Sequence, residues 1–453
     1  MIGNLKKLLY FPIAYYFRFW AQIQLFLWKP RILAITGSSG KTTLLHLIKS
    51  QLGNKAKYSH HANSSYGIPF DILGLGRKDL TPNEWINLFL LAPFRAFKNV
   101  PKEKFYVVEA DCDRPGEGKF LASLLRPEIT LWINSSITHS VNFDYLVKNK
   151  SNTFFLRGIE PTQKKKPPNP HSKLRGFKKV LDKCFSSVEE AIAYEFGYFL
   201  EYTKKLAIVN GDSSLIRKEL KRTSVTVREV SMQDLNGYTI LNNRTDFDTK
   251  DKKYSINFIV PKDVFYSIQI AKLLMKTLDL PFNPNFVDLT LPPGRNSVFK
   301  GVKNTTIIDS SYNATPDGVK SILGMFNQYP SDKKWLVLGD MIELGNEEKA
   351  EHEKLAKIIN TMDLLKVVLT GPRVSKYTFS KLNLPAGRAD NFIMPKDGLD
   401  YILNNIKGGE TILFKGARFL EGIIEHLLEN KNDIGRLCRR EKTWQERRKK
   451  WGL

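Results

Sequence analysis

The chain has 453 residues, 42% hydrophobic and 26% charged, which is enough for two or three domains with their own cores and excludes a disordered polymer. Cys112, Cys184 and Cys438 are too few and too scattered for a disulfide framework or a zinc ribbon, so a reducing cytoplasm is the expected compartment. A net charge of +24 favours an anionic partner, with dense clusters at Lys164–Lys166, Leu174–Lys179 and Arg436–Lys450, but no nucleic-acid module accompanies them and none is expected to bind.

The first element, residues 8–28 (LLYFPIAYYFRFWAQIQLFLW), is apolar and aromatic, but Pro12, Arg18, Gln22 and Gln24 interrupt it and argue against a membrane span. No small-residue cleavage site follows, so a secretory signal is not expected. The flanks Lys6, Lys7, Lys29 and Arg31, with Trp20 and Trp28, fit a helix lying among lipid headgroups; a helix packed on the protein's own surface fits equally well. Trp85–Phe97 (WINLFLLAPFRAF) is a second such stretch and could join the first in one membrane-facing patch.

Ile35–Thr43 reads ITGSSGKTT and stands between an apolar run and LLHLI, where a strand would turn into a helix. Gly37 and Gly40 let the backbone approach an anion, and amides at a helix start point toward it. Gly37, Ser38, Ser39, Gly40, Lys41, Thr42 and Thr43 are therefore the expected nucleotide-binding loop, with Lys41 on the terminal phosphates of ATP and the Thr42 hydroxyl on Mg²⁺. Where the usual motif has its first glycine this chain has Ile35.

Short apolar runs at Ile32–Thr36, Phe105–Ala110, Ile129–Asn134 and Leu206–Asn210 alternate with helical patterns. A second series occupies Thr306–Ser310, Trp335–Gly339, Lys366–Gly371 and Thr411–Gly416. The expected fold is α/β: an aromatic N-terminal helix (1–30), a P-loop central domain with a mostly parallel sheet (31–297), and a C-terminal Rossmann-like α/β domain with a basic tail (298–453). A lysine- and proline-rich stretch marks an insertion at about 143–186.

Six further motifs follow in order: NSSYGIPF from Asn63, VVEADCDRPGE from Val107, NSSITHSVNF from Asn134, IIDSSYNATPDGV from Ile307, VLGDMIELG from Val337 with His352 beyond it, and FKGAR from Phe414. With Gly294 and Arg295, this series resembles the Mur ligase superfamily over roughly residues 31–430, and most of all its branch that adds D-alanyl-D-alanine to a muramoyl tripeptide. The resemblance implies an ATP- and Mg²⁺-dependent, ADP-forming amide ligase of peptidoglycan precursor synthesis. Such an enzyme activates an acceptor carboxylate as an acyl phosphate and joins it to an amino acid or dipeptide. It implies Lys41, Glu109 and His139 as catalytic residues, Thr42, Glu109 and His139 around metal, and Arg295, Asp309 and Asn313 as nucleotide contacts. Lys415 and Arg418 either face the acceptor carboxylate or are merely exposed. The partners implied are a small-molecule or lipid-linked precursor and an amine; the chain is expected to be a monomer, cytoplasmic and peripheral on the inner face of a membrane.

Three departures from the family pattern leave an alternative open. Only about thirty residues precede the P-loop, too few for the domain that grips UDP in larger members. The lysine that many members carbamylate would fall near Phe196, where there is none and Glu195 is the adjacent carboxylate. Pro261–Ser267 lacks the family's histidine and asparagine, so the adenine pocket must be rebuilt. The alternative is a catalytically impaired Mur-like protein that serves as a nucleotide-binding membrane adaptor.

Overall fold

The computed structural model describes residues 2–60, 62–77, 81–98, 100–147, 184–417 and 419–453. Most of the expected insertion, 148–183, lies outside the described residues, as do the basic clusters at 164–166 and 174–179.

The expected α/β architecture is present, with two six-stranded sheets. Strands β1 (Arg31–Thr36), β2 (Ala56–Tyr58), β3 (Phe105–Glu109), β4 (Ile129–Trp132), β5 (Leu206–Asn210) and β6 (Thr226–Val230) pair in the order β2-β3-β1-β4-β5-β6, all parallel. Their near-continuous apolar runs are what burial on both faces requires. One face is covered by helix α2 (Lys41–Leu52) and the helix Val264–Thr277, the other by the helices Glu117–Leu125 and Val188–Tyr202. An antiparallel meander not anticipated from the sequence, β7 (Gly237–Leu241), β8 (Arg244–Asp248) and β9 (Lys253–Ile256), leads into the helix Val264–Thr277.

The second sheet comprises β10 (Ser297–Gly301), β11 (Thr305–Ser310), β12 (Lys334–Gly339), β13 (Lys366–Thr370), β14 (Ala389–Phe392) and β15 (Thr411–Lys415), in the order β10-β11-β15-β12-β13-β14. Only β10 runs antiparallel to its neighbour. Ligands of such sheets gather at the carboxyl ends of the strands, and the loops after β1, β3, β4, β11 and β15 supply the candidate site.

Helix α1 (Ile2–Trp28) does pack on the protein. Ala14, Phe17 and Ala21, spaced at helical intervals, are buried against α3 (Gly67–Leu73) and α4 (Pro82–Phe97), the helix of the second aromatic stretch, while Trp28 is buried on Tyr106 of β3. Phe17 is enclosed by the rings of Phe70, Trp85 and Phe89. Arg18 does not break the helix, because its guanidinium turns to the Phe120 carbonyl and lies over the Phe120 ring at 5.0 Å. Among the described residues no helix is long and apolar enough to cross a membrane.

Candidate active site

The loop after β1 is shaped by two glycines. Gly37 has φ +133°, and a Cβ there would sit 2.8 Å from the Asn134 carbonyl oxygen; Gly40 has φ +80° and starts α2. The segment after β4 pins the loop. Ser39 N–H donates to Asn134 Oδ1 at 3.0 Å, and Ser38 Oγ donates to the Ser136 carbonyl at 2.8 Å.

Lys41 opens α2 with its ammonium buried, 2.8 Å from Asp111 Oδ2 and donating to the Gly37 carbonyl. Burial pulls its pKa down, but Asp111 and Glu109 outweigh that and hold it above the usual lysine value. Thr42 Oγ1 donates to Glu109 at 2.9 Å and accepts from Arg295 Nη2 at 3.0 Å, so an arginine from just before the second sheet reaches into the loop of the first. Burial raises the Glu109 pKa against the opposing pull of Lys41 and Arg295. The Arg295 guanidinium also lies over the Tyr312 ring at 4.8 Å.

His139 has φ +48° and bridges the two halves. Its Nδ1 is 2.6 Å from Glu343 Oε2 and its Nε2 3.2 Å from Asp113 Oδ1. Burial would lower its pKa, but the hydrogen bond to Glu343 and the charge of Asp113 push it up to about 9. Asp111, Asp113 and His139 each offer a ligand atom, all within 4.8 Å of one another.

These groups line one cavity of about 1070 Å³ between the two sheets. It contains Ser38 to Thr43, Glu109, His139, Arg295, Asn313 and Lys415, and its far wall is Pro261–Val264 with Tyr266 and Ser267. The stretch that departs from the family pattern is therefore part of the wall. Lys415 donates to the Asn313 carbonyl at 2.7 Å; burial, aided by Arg295, lowers its pKa to about 7. Asp309 does not line the cavity: it is buried behind the loop, accepts from Ser311 N–H at 3.0 Å, and its Oδ2 has no partner. Arg418 lies outside the described residues.

One reading needs correction. Glu195 does not stand in for the missing carbamylated lysine: its two oxygens accept the N–H groups of Gly116 and Gly118, each at 2.9 Å, at the start of the helix Glu117–Leu125. Neighbouring Phe196 is buried against Trp132. His352 is equally structural, accepting from Met341 N–H and facing the Glu348 carbonyl from inside the core. Asp111, Asp113 and Glu343 are the residues sequence reasoning passed over. The first two were visible as alternate acids beyond a strand end, whereas nothing local marked Glu343.

Residues 294–418 match the family described as Mur ligase, glutamate ligase domain. The UDP-N-acetylmuramoyl-tripeptide–D-alanyl-D-alanine ligase of Escherichia coli is 23% identical over 415 residues, covering 88% of this chain and 77% of the relative. That of Rickettsia prowazekii is 25% identical over 402 residues, covering 86% and 76%. Among solved structures, the MurF ligase of Thermotoga maritima in complex with ADP superposes with a TM-score of 0.67 at 20% identity, over 91% of this chain and 83% of that one. The likeness of the chain is thus to the Mur ligase superfamily, with the family match itself confined to residues 294–418. Within it, the chain is similar to the ligases named for joining D-alanyl-D-alanine to UDP-N-acetylmuramoyl-tripeptide.

Proposed function

We propose that the chain is an ATP-dependent, ADP-forming amide ligase that joins an amino acid or a dipeptide of the D-alanyl-D-alanine kind to a muramoyl-type acceptor in peptidoglycan precursor synthesis. The observation that carries this reading is the contact of Arg295 with Thr42 beside Lys41 and Glu109. It brings cations from both sheets to the place where a triphosphate would end. A transferring phosphoryl group needs charge neutralisation and positioning more than covalent help, and this cavity offers both.

In this reading the acceptor carboxylate oxygen attacks the γ-phosphorus of ATP, and ADP departs. The amine nitrogen then attacks the acyl carbon of the resulting acyl phosphate, expelling phosphate and losing a proton. Lys41 holds the terminal phosphates, and Arg295 presents its planar fork to phosphate oxygens. His139 lies between Asp113 and Glu343, which favour its protonated form, so it would bring positive charge to this end of the cavity. Lys415, held by the Asn313 carbonyl, faces the same space.

The hydroxyl of Thr42 and the carboxylate of Glu109 are hard oxygen donors side by side, which fits Mg²⁺. When bound, that ion would neutralise phosphate charge. His139 would have to shed its extra proton to serve as a ligand. The partners of the reaction are small molecules; a membrane surface is a partner of another kind, which α1 and α4 supply independently of the chemistry.

The test is trapping. With ATP, Mg²⁺ and a muramoyl tripeptide but no amine, hydroxylamine should yield the acceptor hydroxamate together with ADP. Bound ATP without hydroxamate or phosphate release would favour the nucleotide-binding adaptor instead.

A further inference from the structure

Helix α1 buries one stripe and turns another outward. Tyr15, Phe19 and Phe26 recur on the outer side, with Phe26 72% exposed. Helix α4 does the same: Leu88, Ala92 and Ala96 face in, while Ile86, Leu90, Phe94 and Phe97 face out, Leu90 at 67% and Phe94 at 73% exposure. The ring contacts Tyr16–Phe89 and Trp20–Phe97 advance together along both helices, so the helices run in the same sense, with α4 ending beside Trp20, about two turns before the end of α1. The two outer stripes thus lie on neighbouring helices as one exposed apolar face, the kind of surface that marks an interaction site.

The edge of that surface is basic. Lys29 follows α1, the bond from Trp28 Nε1 to the Glu103 carbonyl brings Lys102 and Lys104 to that end of α1, and Lys98 follows α4. All four are exposed and none forms an ion pair among the described residues. Glu103 is the acid within this group, while Glu84 lies at the opposite end of α4. The first 70 residues contain no acid at all.

We propose that the face built by α1 and α4 docks the chain on the surface of an anionic lipid bilayer. The aromatic and aliphatic side chains enter the headgroup boundary, and the lysine edge meets the lipid phosphates. A second copy is a poorer occupant, because it would bring the same positive edge to the contact. No helix among the described residues is able to span, and in this proposal the face lies along the membrane plane.

The test uses the full chain with vesicles of phosphatidylcholine alone or mixed with phosphatidylglycerol. The parent should sediment with the mixed vesicles. Partition should fall at least about tenfold on neutral vesicles, or when salt shortens the screening length from about 10 Å to about 3 Å. Phe26→Ser/Leu90→Ser/Phe94→Ser alters exposed side chains only and should keep the parent's thermal midpoint and ATP binding. It should nevertheless lose at least about tenfold in partition, since binding scales with buried apolar area. Lys98→Glu/Lys102→Glu should weaken binding to mixed vesicles without changing the little that binds neutral ones. The proposal is overturned if the parent stays in the supernatant at low salt, if the triple variant partitions like the parent, or if the parent instead forms dimers that the triple variant abolishes.

Discussion

Lys41→Met separates two duties of one side chain. From the loop motif alone the lysine would serve only phosphate, and its loss would spare the fold. The structure places its ammonium in the interior, 2.8 Å from Asp111 and next to Glu109. Removing one partner of a buried ion pair leaves the other charge uncompensated and costs about 3–5 kcal/mol, whereas replacing both by groups of similar volume is close to neutral. The single variant is therefore expected to lose about 3 kcal/mol, near the low end of that range because Asp111 keeps some access to the cavity. Lys41→Met/Asp111→Asn should recover about 2 kcal/mol of it, a coupling normal for residues in direct contact. Neither variant should release phosphate from ATP, because neither has the ammonium. Urea unfolding followed by tryptophan fluorescence, with phosphate release measured on the same preparations, decides the matter. A single variant as stable as the parent, or a double variant no better than the single, would refute the reasoning.

Gly37→Ala puts a methyl 2.8 Å from the Asn134 carbonyl oxygen at φ +133° and should weaken ATP binding at least about tenfold by calorimetry, the effect of about 1.4 kcal/mol of strain; unchanged affinity would remove the loop from the nucleotide site. His46 is buried, and burial first, then His60 and Lys49, lowers its pKa from 6.5 to about 4. The folded chain therefore binds fewer protons, so stability is full above pH 6.5 and falls as pH drops toward 4, by about 2 kcal/mol at pH 5. His46→Gln should flatten that slope in denaturant titrations at pH 7.5 and 5, and an unaltered slope would assign it to other groups. Phe17→Ala should cost about 3–5 kcal/mol and free α1 for proteolysis, since Phe17 is fully buried among three rings; a digestion pattern like the parent's would mean that α1 is not held by this contact.

The central strands were legible because each is a short apolar run buried on both faces, a pattern that depends on local sequence only. β1, β3, β4, β5, β11, β12, β13 and β15 coincide with the predicted runs to within a residue or two. The meander β7–β9 was not legible. Its strands alternate or face solvent, and runs such as RTDFD around Asp246 look like loop until the cross-strand partners Ser255 and Lys253 are known. The amino end was half legible. Its apolarity was plain, but one face packs on α3 and α4 while the other is bare, so the two readings offered from sequence describe opposite sides of one helix.

The candidate site divides along the same line. Gly37, Gly40, Lys41 and Thr42 fall within six residues, and strand, loop and helix carry their own signals, so sequence sufficed to bring them together. Arg295 and Glu343 reach Thr42 and His139 across 253 and 204 residues, and only the apposition of the two sheets makes them neighbours. Glu195 shows the converse. Its nearness in sequence to the vacant lysine position suggested a replacement ligand, yet the Gly116 and Gly118 amides at a helix start claim both its oxygens. The carboxylates grouped with His139 closely enough to share a metal ion are instead Asp111 and Asp113, on the loop after β3. Negative charge at that end of the cavity thus comes from the strand that also carries Glu109, and a search confined to the helix where the lysine was missed could not have found it.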